Sequence, residues 1–125
     1  MKKGFTLIEL IIIISIMSIL AAVSVISYKY FIDRAREQCA SARGYEIFEA
    51  VAWSYEDNEN LVDTAKIVSV VKGITGFDIH IKDVSGKVIT MDYIYDSIKY
   101  DIKADMLCYR FYIYYDVGGE LIYEY

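Results

Sequence analysis

The 125-residue chain has no proline, one histidine and two cysteines, and no glycine stands between Gly4 and Gly44. Each scarcity excludes something. A lone His80, and Cys39 and Cys108 lying 69 positions apart without a Cys-x-x-Cys pair, leave almost nothing from which to build a transition-metal site or a histidine-based dyad. No glycine-rich phosphate loop follows a strand-like segment, and the serines lack a general base within a recognisable motif. No catalytic residue, metal or cofactor is expected, so composition points away from enzymes. Thirteen Lys and Arg face 18 Asp and Glu, giving a net charge of −5 with no basic cluster. That leaves no electrostatic footprint for a phosphate backbone, and nucleic acid is not an expected partner.

What the chain does have is a long apolar run. A short basic head, Met1-Lys2-Lys3-Gly4, precedes Phe5-Thr6-Leu7-Ile8-Glu9-Leu10 and an almost uninterrupted apolar stretch through Val23 to Ser27. Roughly 20 apolar residues in a helix cover the ~30 Å hydrocarbon core of a bilayer. Glu9 is the anomaly, because an ionised carboxylate within such a span costs about 2.5 kcal/mol or more. Two readings of it stand open. Glu9 lies near the helix start and can reach back to the interface, where its cost is small. Alternatively, a cut between Gly4 and Phe5 removes the lysines and frees an amine one helical turn away, about 6 Å along the axis, on the same or a neighbouring chain.

Lys3-Gly4-Phe5-Thr6-Leu7-Ile8-Glu9-Leu10 followed by a long apolar run resembles the N-terminus of type IV prepilins and pseudopilins, over about residues 2 to 30. The resemblance implies a leader, residues 1–4, removed after Gly4 by a prepilin peptidase, with Phe5 becoming the N-methylated first residue. It implies that Glu9 neutralises the Phe5 amine of an adjacent subunit during assembly, and Thr6 falls at the family's usual threonine. Implied partners are other pilin subunits, the peptidase, a membrane platform protein with its assembly ATPase, and the cytoplasmic membrane before assembly. The implied location is a single-pass protein, N-terminus cytoplasmic and head extracytoplasmic, that passes into a cell-surface or periplasm-spanning filament. Many major pilins carry a Gly and then a Pro where this chain has Ser18 and Ile26, which favours a continuous helix and a minor pilin or pseudopilin. A tip-located or competence-type subunit binding a ligand or DNA is the alternative. A secreted α+β domain cut near Ser24 is a further one, opposed by Glu9 and by an apolar run longer than a signal peptide needs. The basic residues do not decide orientation, since Lys2 and Lys3 are opposed by Lys29, Arg34 and Arg36.

Past the span, helix-forming residues continue to about Tyr55, so one helix is expected from Phe5 to Asp57, about 80 Å long. Residues 5–27 form its membrane and assembly part. Residues 28–125 form a globular head, made of helix 28–57, connector 58–76 and an antiparallel sheet over 77–125. Tyr28, Ile32, Ala35, Cys39 and Ala42 make one apolar stripe, and Ile47, Phe48, Val51 and Tyr55 a second, offset one. A filament subunit would use one for its own sheet and the other for neighbours. Asp57-Asn58-Glu59-Asn60 reads as the turn ending the helix, whereas Leu61 to Val71 fits a short helix or a strand equally well.

From Phe77 the period becomes two, with strands expected at Phe77 to Lys82, Lys87 to Tyr95, Ile98 to Lys103, Leu107 to Tyr115 and Glu120 to Tyr125. A long N-terminal helix laid on such a meander is an α+β fold, the arrangement the pilin resemblance also implies. Alternation in the fourth strand puts Leu107, Tyr109, Phe111 and Ile113 on one face and Cys108 with Arg110 on the other, so Cys108 points away from Cys39 if the first face meets the helix. Two separate thiols are therefore expected over a Cys39–Cys108 disulfide. His80 reads as an exposed sheet residue beside Asp78 and Lys82, and Asp57, Glu59 and Asp63 as a solvated turn, their spacing not being that of an EF-hand. The 13 tyrosines read chiefly as strand formers and core amphiphiles.

Overall fold

The computed structural model describes residues 3–125. Met1 and Lys2, two of the four leader residues, lie outside them. Two helices precede five strands: α1 (Leu7–Asp57), α2 (Thr64–Thr75), β1 (Ile79–Ser85), β2 (Val88–Tyr95), β3 (Ile98–Asp105), β4 (Arg110–Tyr115) and β5 (Leu121–Glu124). All neighbouring strands pair antiparallel in chain order, so the sheet is a simple meander. The fold is α+β, a long N-terminal helix with a five-stranded antiparallel sheet. The chain divides into two compact units, one ending at Ala35 and one running from Arg36 to Tyr125.

The first unit is helix with no core of its own. Its apolar side chains from Phe5 to Phe31 are exposed, and this part of α1 is long and apolar enough to cross a membrane. Hydroxyls would be awkward in hydrocarbon, but each serine of the run is answered locally. Ser15, Ser18 and Ser24 donate to the carbonyl four residues back at 2.7 Å, and Ser27 does so at 3.3 Å.

The second unit is built around the other end of α1. Ala40, Gly44, Ile47, Phe48, Val51 and Tyr55 are buried there. They meet the inward positions of the sheet: Ile89, Met91 and Tyr93 on β2, Tyr100, Ile102 and Ala104 on β3, and Phe111 and Ile113 on β4. The stripe of Ile47, Phe48, Val51 and Tyr55 is thus the one turned to the head's own core. Tyr28, Ile32, Cys39 and Ala42 of the other stripe stay exposed, and Ala35 is half-buried.

Two polar ties fix this packing. The Tyr93 hydroxyl, buried between helix and sheet, donates to the Ala40 carbonyl at 2.6 Å. Gly44 lets β4 approach, because a Cβ on it would run into Ile113 Cδ1 and lie 3.2 Å from Tyr93 Oη. At the rim, the Tyr109 and Tyr115 hydroxyls donate to carboxylates of α1, Glu49 at 3.0 Å and Glu37 at 2.9 Å. Burial and the adjacent carboxylates push both phenols up to about 12.

Between helix and sheet, the stretch that fitted a helix or a strand is α2. Asp63 caps it, accepting from the backbone N–H of Ala65 and Lys66, both at 3.1 Å. Gly76 ends it in the left-handed conformation, φ 77°, its N–H donating to the Lys72 carbonyl. Ile67 and Val71 are its buried residues. The turn after α1 lies where the sequence places it, with Glu59 and Asn60 at φ 55° and 60°. Asp57 pairs with Lys66 at 2.8 Å, so Asp57 and Asp63 both have structural work there.

Two strands differ from expectation. β1 begins at Ile79 rather than Phe77 and runs on to Ser85, three residues past Lys82, where it pairs with the start of β2. β4 starts at Arg110, and Leu107 to Tyr109 form a turn in which Asp105 Oδ1 accepts from the N–H of Leu107 at 2.9 Å and of Cys108 at 3.3 Å. Leu107 is consequently exposed, while Phe111 and Ile113 face the core as the alternation requires. Tyr109, at φ 52°, nevertheless stacks edge-on against Phe48.

The outward sheet face carries a charge lattice. Lys82 Nζ reaches Asp101 at 2.7 Å and Asp116 at 2.6 Å, and Lys99 reaches Asp92 at 3.0 Å. The paired carboxylates hold Lys82 well above its ordinary range, and the Lys82 bond holds Asp116 below its own. His80 is exposed on this face, its Nδ1 3.8 Å from Asp92.

Candidate assembly and processing site

The candidate residues converge at the start of α1. Lys3 to Thr6 precede the helix without regular structure, and both Gly4 and Phe5 are exposed. A Cβ built on Gly4 meets nothing within 4 Å, so no packing among the described residues demands a glycine at that position. Phe5, 83% exposed, touches no core.

Thr6 and Glu9 form a reciprocal cap. The Thr6 backbone N–H donates to Glu9 Oε2 at 2.8 Å and the Thr6 hydroxyl donates to the same oxygen at 3.0 Å. The Glu9 N–H in turn donates to Thr6 Oγ1 at 3.3 Å, and Leu10 N–H reaches the Thr6 carbonyl at 3.2 Å to close the first turn. This is a capping box, in which two N–H groups left over at a helix start are satisfied by side chains. It also places a negative group where the helix dipole favours one. The sequence announces it as Thr-x-x-Glu directly ahead of an apolar run, a signal the reading of Glu9 above did not use. Glu9 is therefore neither stray nor dependent on an amine in the uncut chain, where Phe5 has an amide and no free amine.

Elsewhere the candidates stay apart. Cys39 on α1 and Cys108 in the β3–β4 turn are separate, exposed thiols. No group of three or more His, Cys, Asp or Glu able to hold a metal occurs among the described residues. The head does carry a groove of about 550 Å³ between α1 and the end of α2, lined by Tyr45, Ala50, Trp53 and Ile74 with Glu46 and Glu49 at its edge. Its charged residues are both carboxylates, the wrong sign for a phosphate backbone.

Residues 1–25 match a protein family described as the prokaryotic N-terminal methylation motif, the signal of type IV pilins and pseudopilins. The match takes in Gly4, Phe5, Thr6, Glu9 and most of the apolar run, and leaves the head outside it. No curated protein matches the chain, and no solved structure does. The chain therefore carries a type IV pilin-like signal on a helix long and apolar enough to cross a membrane.

Proposed function

We propose that the protein is a minor pilin or pseudopilin: a structural subunit of a type IV pilus or of a related secretion or competence filament. A prepilin peptidase cuts it after Gly4, and Phe5 becomes the methylated first residue. The head lies outside the cytoplasmic membrane. Assembly moves the exposed apolar surface of α1 from lipid to neighbouring helices, drawn by a platform protein and its ATPase. The observation that carries this reading is the methylation motif standing on an apolar helix start that has no partner within the described residues. The surroundings of Gly4 support it too, since a glycine that no described residue packs against is suited to recognition by a processing enzyme.

In this mechanism Glu9 changes partners. Before the cut it is held by Thr6. Afterwards the Phe5 amine of an adjacent subunit supplies a cation, and a carboxylate with a cation in a low-dielectric helix bundle fixes axial register, because displacement by one turn would leave both charges unpaired. Intact-mass and N-terminal peptide analysis of the protein from its own cells tests the processing step. A start at methylated Phe5 is expected, and a start near Val25 would replace the reading with ordinary secretion.

A further inference from the structure

The surface of α1 changes character just past Ser27, while still fully exposed. Tyr28, Tyr30 and Phe31 are 68%, 64% and 67% exposed, and Lys29 between them is exposed as well. Arg34 lies a turn further on, its Nε donating to the Tyr30 hydroxyl at 3.2 Å and its guanidinium 5.7 Å from the Tyr30 ring centroid. Side chains on a helix follow one another at about 100°, so Tyr28, Lys29, Tyr30 and Phe31 go once round the axis. That distribution discriminates between partners. A neighbouring helix takes a stripe along one side, as the head's own sheet does with Ile47, Phe48, Val51 and Tyr55. A complete ring of aromatic and basic side chains suits a boundary that is the same on every side and passes from apolar to wet, which is what Tyr and Lys meet at a lipid headgroup layer.

We propose that Tyr28 to Arg34 form a collar seated in the phospholipid headgroup layer, and that this collar sets the depth of α1 before assembly. The proposal rests on α1 being a membrane anchor and adds where it stops. Depth follows from the register. From Glu9 to Tyr28 the helix rises about 28 Å, close to the ~30 Å thickness of the hydrocarbon core. When the collar lies in one headgroup layer, the Glu9 carboxylate reaches the other, and the Gly4–Phe5 bond lies beyond the hydrocarbon where a peptidase can bring water to it. The serines between them, already bonded to their own helix, add no unsatisfied group to the apolar stretch. Lys29 and Arg34 outnumber Asp33 in the collar, the sign that lipid phosphates favour.

The test uses the full chain in phosphatidylcholine–phosphatidylglycerol bilayers, with Trp53→Phe removing the only native tryptophan. Phe31→Trp in that background reports on the collar and Ile19→Trp on mid-span. Trp at 19 is expected to be quenched most by lipids brominated deep in the acyl chain. Trp at 31 should be quenched most by bromines nearest the headgroup, with its shallow-to-deep ratio at least about twofold higher than at 19. Replacing Tyr28 and Tyr30 with Ser, and Phe31 with Ser in the Ile19→Trp chain, should shift the depth at residue 19; an unchanged ratio overturns depth-setting by the collar. Trp at 31 quenched by aqueous iodide alone, while Trp at 19 remains in lipid, overturns the collar and leaves the anchor standing. Lipid quenching at neither position overturns both. Shielding of Trp at 31 from lipid and iodide alike as the protein-to-lipid ratio rises would mean that a second copy covers the ring, and the collar would again be wrong.

Discussion

The contact of Gly44 with Ile113 allows a sharp test of how the head is packed. Gly44→Ala should gain about 1 kcal/mol of helix propensity. Its new Cβ, however, runs into Ile113 Cδ1, with Ile113 Cγ1 at 3.3 Å and Tyr93 Oη at 3.2 Å. Ile113 and Tyr93 are both buried to within 1%, so neither has free space to retreat into. Overfilling of this kind costs about 1–3 kcal/mol, which leaves a net loss of about 1 kcal/mol. Ile113→Val removes the clashing methyl and by itself costs about 1 kcal/mol for the small void. In the double variant the alanine methyl occupies that void, so the two losses should not add; a favourable coupling of at least ~1 kcal/mol is expected. Urea unfolding of the full chain in detergent micelles, followed by near-ultraviolet circular dichroism of the tyrosines, measures all three variants. Additivity to within about 0.5 kcal/mol, or a Gly44→Ala chain that gains its full propensity, would refute the close approach of helix and β4.

Tyr93→Phe should cost about 1 kcal/mol in the same assay, since it removes one buried hydrogen bond while the Ala40 carbonyl keeps its helical partner. Gly4→Leu should leave the fold unchanged and abolish cleavage, read by mass spectrometry of the protein from its own cells. Glu9→Ala should leave the head folded yet prevent incorporation into filaments, and normal incorporation would take Glu9 out of the mechanism. Asp116 is held below its ordinary value by Lys82, so its contribution to stability is present above about pH 4 and fades as pH falls through the folded-state value. Lys82→Met should therefore flatten the acid limb of a stability-against-pH curve. Tyr109 and Tyr115, raised to about 12, contribute stability that is complete below about pH 10 and is lost as pH climbs from there through about 12. Absorbance at alkaline pH should show these phenols ionising late in the folded chain and together with the exposed ones once it unfolds.

Most of the architecture was legible because its causes are local. Helix α1 follows from a run free of glycine and proline up to Gly44, and the capping box from a threonine and a glutamate three positions apart. The period-two segments locate β2, β3 and β5 to within two residues of their bounds, whereas β1 lies two to three residues further along the chain than Phe77 to Lys82. Where β4 was read too long, the competing cause was a single side chain: Asp105 binds the N–H groups of Leu107 and Cys108 and holds them in a turn. The region of α2 was ambiguous because a short apolar run suits either period. Its cap, Asp63, and its left-handed stop, Gly76, are the local signals that resolve it.

By itself the sequence determined the long apolar helix, the methylation motif at its head, and a meander with one apolar face, since each depends on residues within a few positions of one another. Which stripe of α1 meets that face could not be read from it, because both stripes are apolar and have the period of a helix. Only the tertiary structure assigned Ile47, Phe48, Val51 and Tyr55 to the core and left Tyr28, Ile32, Cys39 and Ala42 outside. It did so by bringing Tyr93, Phe111 and Ile113 from more than 40 positions away onto Ala40, Gly44 and Phe48. Contacts of that range depend on how the whole sheet twists and registers against the helix, and no local pattern carries that information.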